Sequence, residues 1–204
     1  MIAWLKHLLT PDFEIVDKLI DATSMASARA SVAQAIADVG KRASNHDQEV
    51  FALQHRLPLG CIAGIPAIRR IIRLLEDRIG LPCDPGKGGI QHQSPDGTYR
   101  LRWHQDSPIM GMSEKMRGRV AWIPLDPIDG RRPSLAFAKR GKQAPHHADA
   151  RSFAVADVEF EKYMVIQNLD LGDVVLFSPH VFHSTYVDPL MSESRYSIDL
   201  RFLG

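Results

Sequence analysis

The 204-residue chain carries 25 Lys and Arg against 24 Asp and Glu, so it lacks the positive surplus that a phosphate backbone demands, and no nucleic-acid partner is expected. With 45% hydrophobic and 24% charged residues it has ordinary globular usage, and its length suits a single domain over 1–204 with a sizeable core. Two cysteines, Cys61 and Cys83, are too few to staple it and stand in no metal spacing, no apolar run is long enough for a membrane span, and the apolar start is broken by Lys6 and His7, so a cytoplasmic protein is expected.

In chain order, residues 1–85 read as a mainly helical lead-in and 86–204 as strands. From 11 to 39 the sequence is rich in Ala, with apolar residues at three- and four-residue steps such as Phe13, Val16, Leu19 and Ile20, which predicts one or two helices closed by Gly40. A further helix is predicted over 66–79, where Ile68, Ile71, Ile72, Leu75 and Ile79 share a face while Arg69, Arg70, Arg73 and Glu76 lie elsewhere. Gly80, Pro82 and Pro85 then end it. Beyond a turn-rich stretch at 84–89, strands are predicted at 89–94, 98–104, 119–125, 134–138, 163–168, 173–177 and 195–202, with a turn at Pro95-Asp96-Gly97. The segment 126–160 holds several Pro, Gly and basic residues and reads as a long excursion with little regular structure. Basic clusters, Arg69, Arg70 and Arg73 and then Arg131, Arg132, Lys139, Arg140 and Lys142, read as solvated faces. Helices followed by antiparallel strands predict a mainly β chain of the α+β class, a barrel or jelly roll braced by helices.

Non-haem Fe(II) sites that activate O2 commonly use two imidazoles and one carboxylate on one face of the metal, leaving adjacent positions open. His104-Gln105-Asp106 offers two such groups, because residues i and i+2 of a strand point the same way. An HxD triplet is a weak sign by itself: His147-Ala148-Asp149 is a second one, set between Pro145 and Arg151 without apolar alternation, and reads as loop. The remaining imidazole is sought after the strand at 173–177, where His180 follows Pro179 directly and His183 lies three residues further. Arg195 and Ser197 share a face of the last strand. A guanidinium fork grips a carboxylate bidentately, and a hydroxyl can add one hydrogen bond to the same group, although Arg195 alone would read as a surface arginine.

Taken together, Trp103-His104-Gln105-Asp106, Ala121-Trp122-Ile123-Pro124-Leu125-Asp126, Gly172-Asp173-Val174-Val175-Leu176-Phe177, His183-Ser184 and Arg195 resemble, in kind and order, the phytanoyl-CoA dioxygenase family of Fe(II)/2-oxoglutarate oxygenases. The resemblance covers 99–202 and implies a double-stranded β-helix with a metal in one mouth of the barrel. It implies His104, Asp106 and His183 as metal ligands, so His183 is preferred over His180. Arg195 and Ser197 would bind 2-oxoglutarate. Gln91 or Gln93 would add a polar contact, with no motif to say which faces inward, and Trp122 would serve as core packing or as a cosubstrate contact. The implied reaction uses Fe(II), 2-oxoglutarate and O2 to oxidise a C–H bond of a small molecule, releasing succinate and CO2. A carboxylate at Asp106, where related halogenases carry a small residue, favours hydroxylation or another oxidation over halogenation. The chain departs from the family at 129–142, where an Asn-Gly-x-Leu turn and a Pro-Gly-Ser-His segment are usual. Residues 107–116, with Met110, Met112 and Met116, read as part of a lid or as packing, and Arg102, Arg117 and Arg119 as contacts for an anionic substrate or as surface. Two other readings are a cupin-like metal enzyme that needs no 2-oxoglutarate, against which Arg195 and Ser197 argue, and a non-catalytic binding barrel.

Overall fold

Alternation of polar and apolar side chains organises the C-terminal strands, and β9 (Arg195–Leu203) shows it most clearly. Ile198, Leu200 and Phe202 point to one side of this strand, into a core formed with the helices, while Arg195, Ser197 and Arg201 are buried on the other. The computed structural model of the chain describes residues 13–42, 56–96, 100–108, 110–112, 116–138, 160 and 163–204. Along it run β1 (Phe13–Val16), α1 (Ala22–Arg42), β2 (Arg56–Pro58), a 3-10 turn (Leu59–Cys61), α2 (Pro66–Ile79), β3 (Gly89–Gln93), β4 (Gly118–Pro124), β5 (Ser134–Ala138), β6 (Tyr163–Val165), β7 (Val174–Phe177), β8 (His183–Tyr186) and β9. The chain is thus mainly β, with two helices among the described residues. Neither is long and apolar enough to cross a membrane.

Every strand pair is antiparallel, in a six-stranded sheet ordered β1-β7-β4-β9-β3-β2 and a three-stranded sheet ordered β6-β5-β8. The helices cover one face of the large sheet: Met25, Ala28 and Val32 of α1 and Ile68, Ile71 and Leu75 of α2 pack with Ile90, Ile123, Ile198 and Leu200. On the opposite face Val120, Trp122, Val175 and Phe177 meet Leu135 and Phe137 of the small sheet. The two sheets therefore enclose a second interior, and it is there that the polar side chains of β9 lie.

α2 keeps the limits its sequence predicts. Pro66 opens it where no N–H is needed, three isoleucine and leucine side chains are buried, and Gly80 stops it at φ 72° with its N–H donating to Glu76 O. α1 is capped by Asp21, whose carboxylate accepts from the Ser24 hydroxyl at 2.7 Å and the Ser24 N–H at 2.8 Å. These bonds hold the Asp21 carboxyl below its usual range.

Several expectations are corrected. Phe13 to Val16 form no helix: they pair with β7, Phe13 opposite Phe177 and Val16 opposite Val174, and Phe13 stacks on Phe137 with ring centroids 4.9 Å apart. Four residues alternating at an edge satisfy a strand, and a three-residue apolar step within so short a window fits either period. Gly40 caps nothing, since α1 continues to Arg42. Over its described part, 100–104, the strand predicted at 98–104 is reduced to one isolated bridge between His104 and His183. β2 and β8 were not foreseen. The second HxD and Lys139, Arg140 and Lys142 lie outside the described residues. Arg131 and Arg132 are not simply solvated, because both pair with Asp129 and Glu193.

Candidate metal and carboxylate site

The bridge between His104 and His183 is the geometric origin of the site. Each N–H donates to the other's carbonyl, at 2.9 and 3.0 Å, which brings the loop before Asp106 against the start of β8. The two imidazole centroids are 4.2 Å apart. One nitrogen of each imidazole and a carboxylate oxygen of Asp106, two residues on, all lie within 4.8 Å of one another. All three side chains are buried.

The imidazoles are held by the backbone. His104 Nδ1 lies 2.7 Å from Arg102 O and His183 Nδ1 lies 3.1 Å from Val181 O. A carbonyl only accepts, so each Nδ1 carries a hydrogen, which in a neutral imidazole leaves the lone pair on Nε2, the arrangement that a metal-binding histidine needs. The Asp106 oxygens differ. Oδ2 is 3.8 Å from His183 Nε2, whereas Oδ1 accepts a 2.7 Å hydrogen bond from Arg201 Nη2. His180 is also buried, but it stands in the turn before β8, where its carbonyl accepts from Gln105 Nε2 at 2.6 Å, and it does not join the cluster. Of the two histidines, His183 is brought to His104 and Asp106.

Arg195 is 0% exposed. Its Nε donates to Pro133 O and its Nη1 to Ser197 Oγ, both at 2.6 Å, and the guanidinium carbon sits 4.8 Å from the centroid of the Trp122 ring. Nη2 has no hydrogen-bond partner among the described residues. Burial lowers this guanidinium to a pKa of about 10, against the pull of Asp199 and Asp126, and it stays charged at neutral pH. Ser197 accepts from Arg195, so it steers the guanidinium and keeps its own hydroxyl hydrogen to donate. In the β3–β9 register Gln91 faces Ser197 and Gln93 faces Arg195, and both glutamines are buried, 3.4 Å apart from Nε2 to Oε1. Trp122 belongs at once to the packing between the sheets and to the wall of the cavity, with no partner for its Nε1 among the described residues.

A cavity at the cluster is lined by His104, Asp106, His183, Gln91, Trp122 and Thr185, with Asp199 and Arg201 beside them, whereas Arg195, Ser197 and Gln93 lie outside its lining. Thr185, Asp199 and Arg201 were not singled out from the sequence. The two on β9 were within reach, since the alternation that turns Arg195 and Ser197 inward continues to 199 and 201. Met110 and Met112 are buried between the sheets, as packing, while Met116, Arg102, Arg117 and Arg119 are exposed.

No family model matches the chain, and no curated protein matches it. Solved structures share its fold. EvdO2 from Micromonospora carbonacea var. aurantiaca, solved in complex with 2-oxoglutarate, superposes with a TM-score of 0.61 at 17% identity over 95% of this chain and 86% of its own. SnoK, a non-heme alpha ketoglutarate dependent carbocyclase from nogalamycin biosynthesis, gives 0.62 at 13% identity over 94% and 79%. HygX from Streptomyces hygroscopicus, solved with nickel and 2-oxoglutarate bound, gives 0.60 at 15% over 94% and 81%. At these identities the likeness is one of fold.

Proposed function

We propose that the chain is an Fe(II)/2-oxoglutarate-dependent oxygenase of the phytanoyl-CoA dioxygenase kind, a double-stranded β-helix in one cytoplasmic domain, which hydroxylates or otherwise oxidises a small molecule of secondary metabolism. His104, Asp106 and His183 hold the iron. Arg195 and Ser197, with Gln91 and Gln93 opposite, hold the far carboxylate of 2-oxoglutarate, and Trp122 packs beneath it. Bound iron, with 2-oxoglutarate and O2, supplies the oxidising equivalents, and the cosubstrate leaves as succinate and CO2.

The observation that carries this reading is the Arg195 guanidinium against Trp122, which lines the cavity of the His-Asp-His cluster: a fully buried cation whose Nη2 hydrogens find no acceptor among the described residues. A buried donor left unpaired costs about 1–3 kcal/mol, and more when charged, which a bound carboxylate would recover. The donor set also fits the metal, since two imidazoles of fixed tautomer and one carboxylate leave room for a chelating 2-oxo acid and a gas. The chain's own contribution is to orient the imidazoles through the Arg102 and Val181 carbonyls, grip the cosubstrate through β9, and keep water out with the apolar walls of both sheets. Among enzymes sharing the fold, SnoK is a carbocyclase, so oxidation at carbon has more than one outcome on this scaffold.

An anaerobic titration tests the reading. Fe(II) with 2-oxoglutarate should develop a weak visible charge-transfer band, and Arg195→Ala should raise the 2-oxoglutarate needed by about 10–100-fold, the loss of charged hydrogen bonds, while sparing Fe(II) binding. Iron binding indifferent to 2-oxoglutarate would favour the cupin-like enzyme. No metal binding at all would leave a binding barrel.

A further inference from the structure

The carboxylate of Asp106 is 2% exposed and Arg201 is 4% exposed, and they meet at 2.7 Å across 95 residues of sequence. Arg201 is tied a second time, through Nη1 to the carbonyl of Lys87, whose own Nζ donates to Met110 O at 2.6 Å. Met110 N–H in turn donates to Asp106 O at 2.9 Å. The guanidinium thus links β9, the loop before β3 and the loop that carries Asp106. The two carboxylate oxygens face different ways: Oδ1 accepts from Arg201, and Oδ2 is the oxygen turned toward His183 Nε2.

We infer that Arg201 is a positioning residue that makes Asp106 a one-oxygen metal ligand. The inference rests on the metal-site reading above. A free carboxylate near a divalent metal can bind through both oxygens and fill two positions, which would take from the site a position that 2-oxoglutarate or O2 requires. A guanidinium already hydrogen-bonded to Oδ1 opposes that rotation, because turning Oδ1 onto the metal would strip a buried Arg201 of its counter-charge. Arg201 cannot follow the carboxylate, since Nη1 is anchored to the Lys87 carbonyl. Arg195 and Arg201, on one face of one strand, divide the labour: one holds the cosubstrate, the other keeps a coordination position open for it.

The test uses anaerobic Co(II) titration of the full chain, read by metal affinity and by the infrared carboxylate stretches of carbon-13-aspartate-labelled protein. The separation of these stretches is wide for one-oxygen and narrow for two-oxygen coordination. Wild type should show the wide separation on Co(II) addition. Arg201→Met should bind Co(II) about 10–100-fold more weakly, as outer-shell changes do, and narrow the separation, and Arg201→Lys should restore the wide one. A narrow separation in wild type, or an Arg201→Met variant with the wide one, overturns the inference. A lowered melting temperature with unchanged coordination would show Arg201 to be merely structural and also overturns it. If the methionine variant does not fold, the wild-type spectrum still decides. A wild-type chain that binds no Co(II) would instead sink the metal-site reading, and this inference with it.

Discussion

Histidines 180 and 183 sit three residues apart in a turn and the strand it feeds, and their different fates come from the backbone. His183 opens β8 by bridging to His104, so its ring is delivered beside that of His104, with Nδ1 tied down by Val181 O. His180 stays in the turn, held by Gln105 through its carbonyl. His183→Ala should therefore cost Co(II) affinity well beyond the roughly 10–100-fold of outer-shell changes. His180→Gln should stay within a few-fold of wild type. Isothermal titration of both variants checks the pair, and equal losses would move the third ligand to His180. Spacing in the sequence left both histidines open, and the family resemblance chose between them. Arg201 escaped notice for another reason: its partner is 95 residues away, and no local pattern encodes a tertiary ion pair.

At the scale of elements, legibility followed the number of independent signals. α2 combined a proline start, a one-sided apolar face and a left-handed glycine stop, and it emerged at its predicted ends. β1 had only a short apolar run, which helix and strand both accommodate, and its identity is decided by the unpaired edge of β7. The Gly172-Asp173 pair, read as part of a family signature, has a structural reason. Gly172 has φ +97°, and a Cβ there would lie 2.3 Å from Ile20 O. Asp173 is fully buried and accepts from Lys18 N–H at 2.8 Å and Asp170 N–H at 2.9 Å, fastening the β1–α1 turn to the approach of β7. Gly172→Ala should destabilise the fold by about 1–3 kcal/mol through backbone strain, plus whatever the Ile20 clash adds. Chemical denaturation would register it. The Co(II) affinity of the folded fraction should not change, because the pair touches none of the site residues.

Across the whole molecule, β9 divides two interiors. Ile198, Leu200 and Phe202 complete the core under the helices, while Arg195, Ser197 and Arg201 furnish the site. The apolar cores take nothing from a metal, and the buried Asp106 has its counter-charge in Arg201 whether or not a cation is bound. Folding and metal binding should therefore be separable, unlike in small zinc domains whose apo chains are unfolded. Chelator-treated protein should keep its far-ultraviolet circular dichroism and melt cooperatively. Co(II) at a hundred times its Kd should add about 2.7 kcal/mol by mass action. For a chain of this size that corresponds to a rise in Tm of roughly 5–10 °C. A stripped protein without a cooperative melt would show that the metal, and not the division of faces along β9, holds the two sheets together.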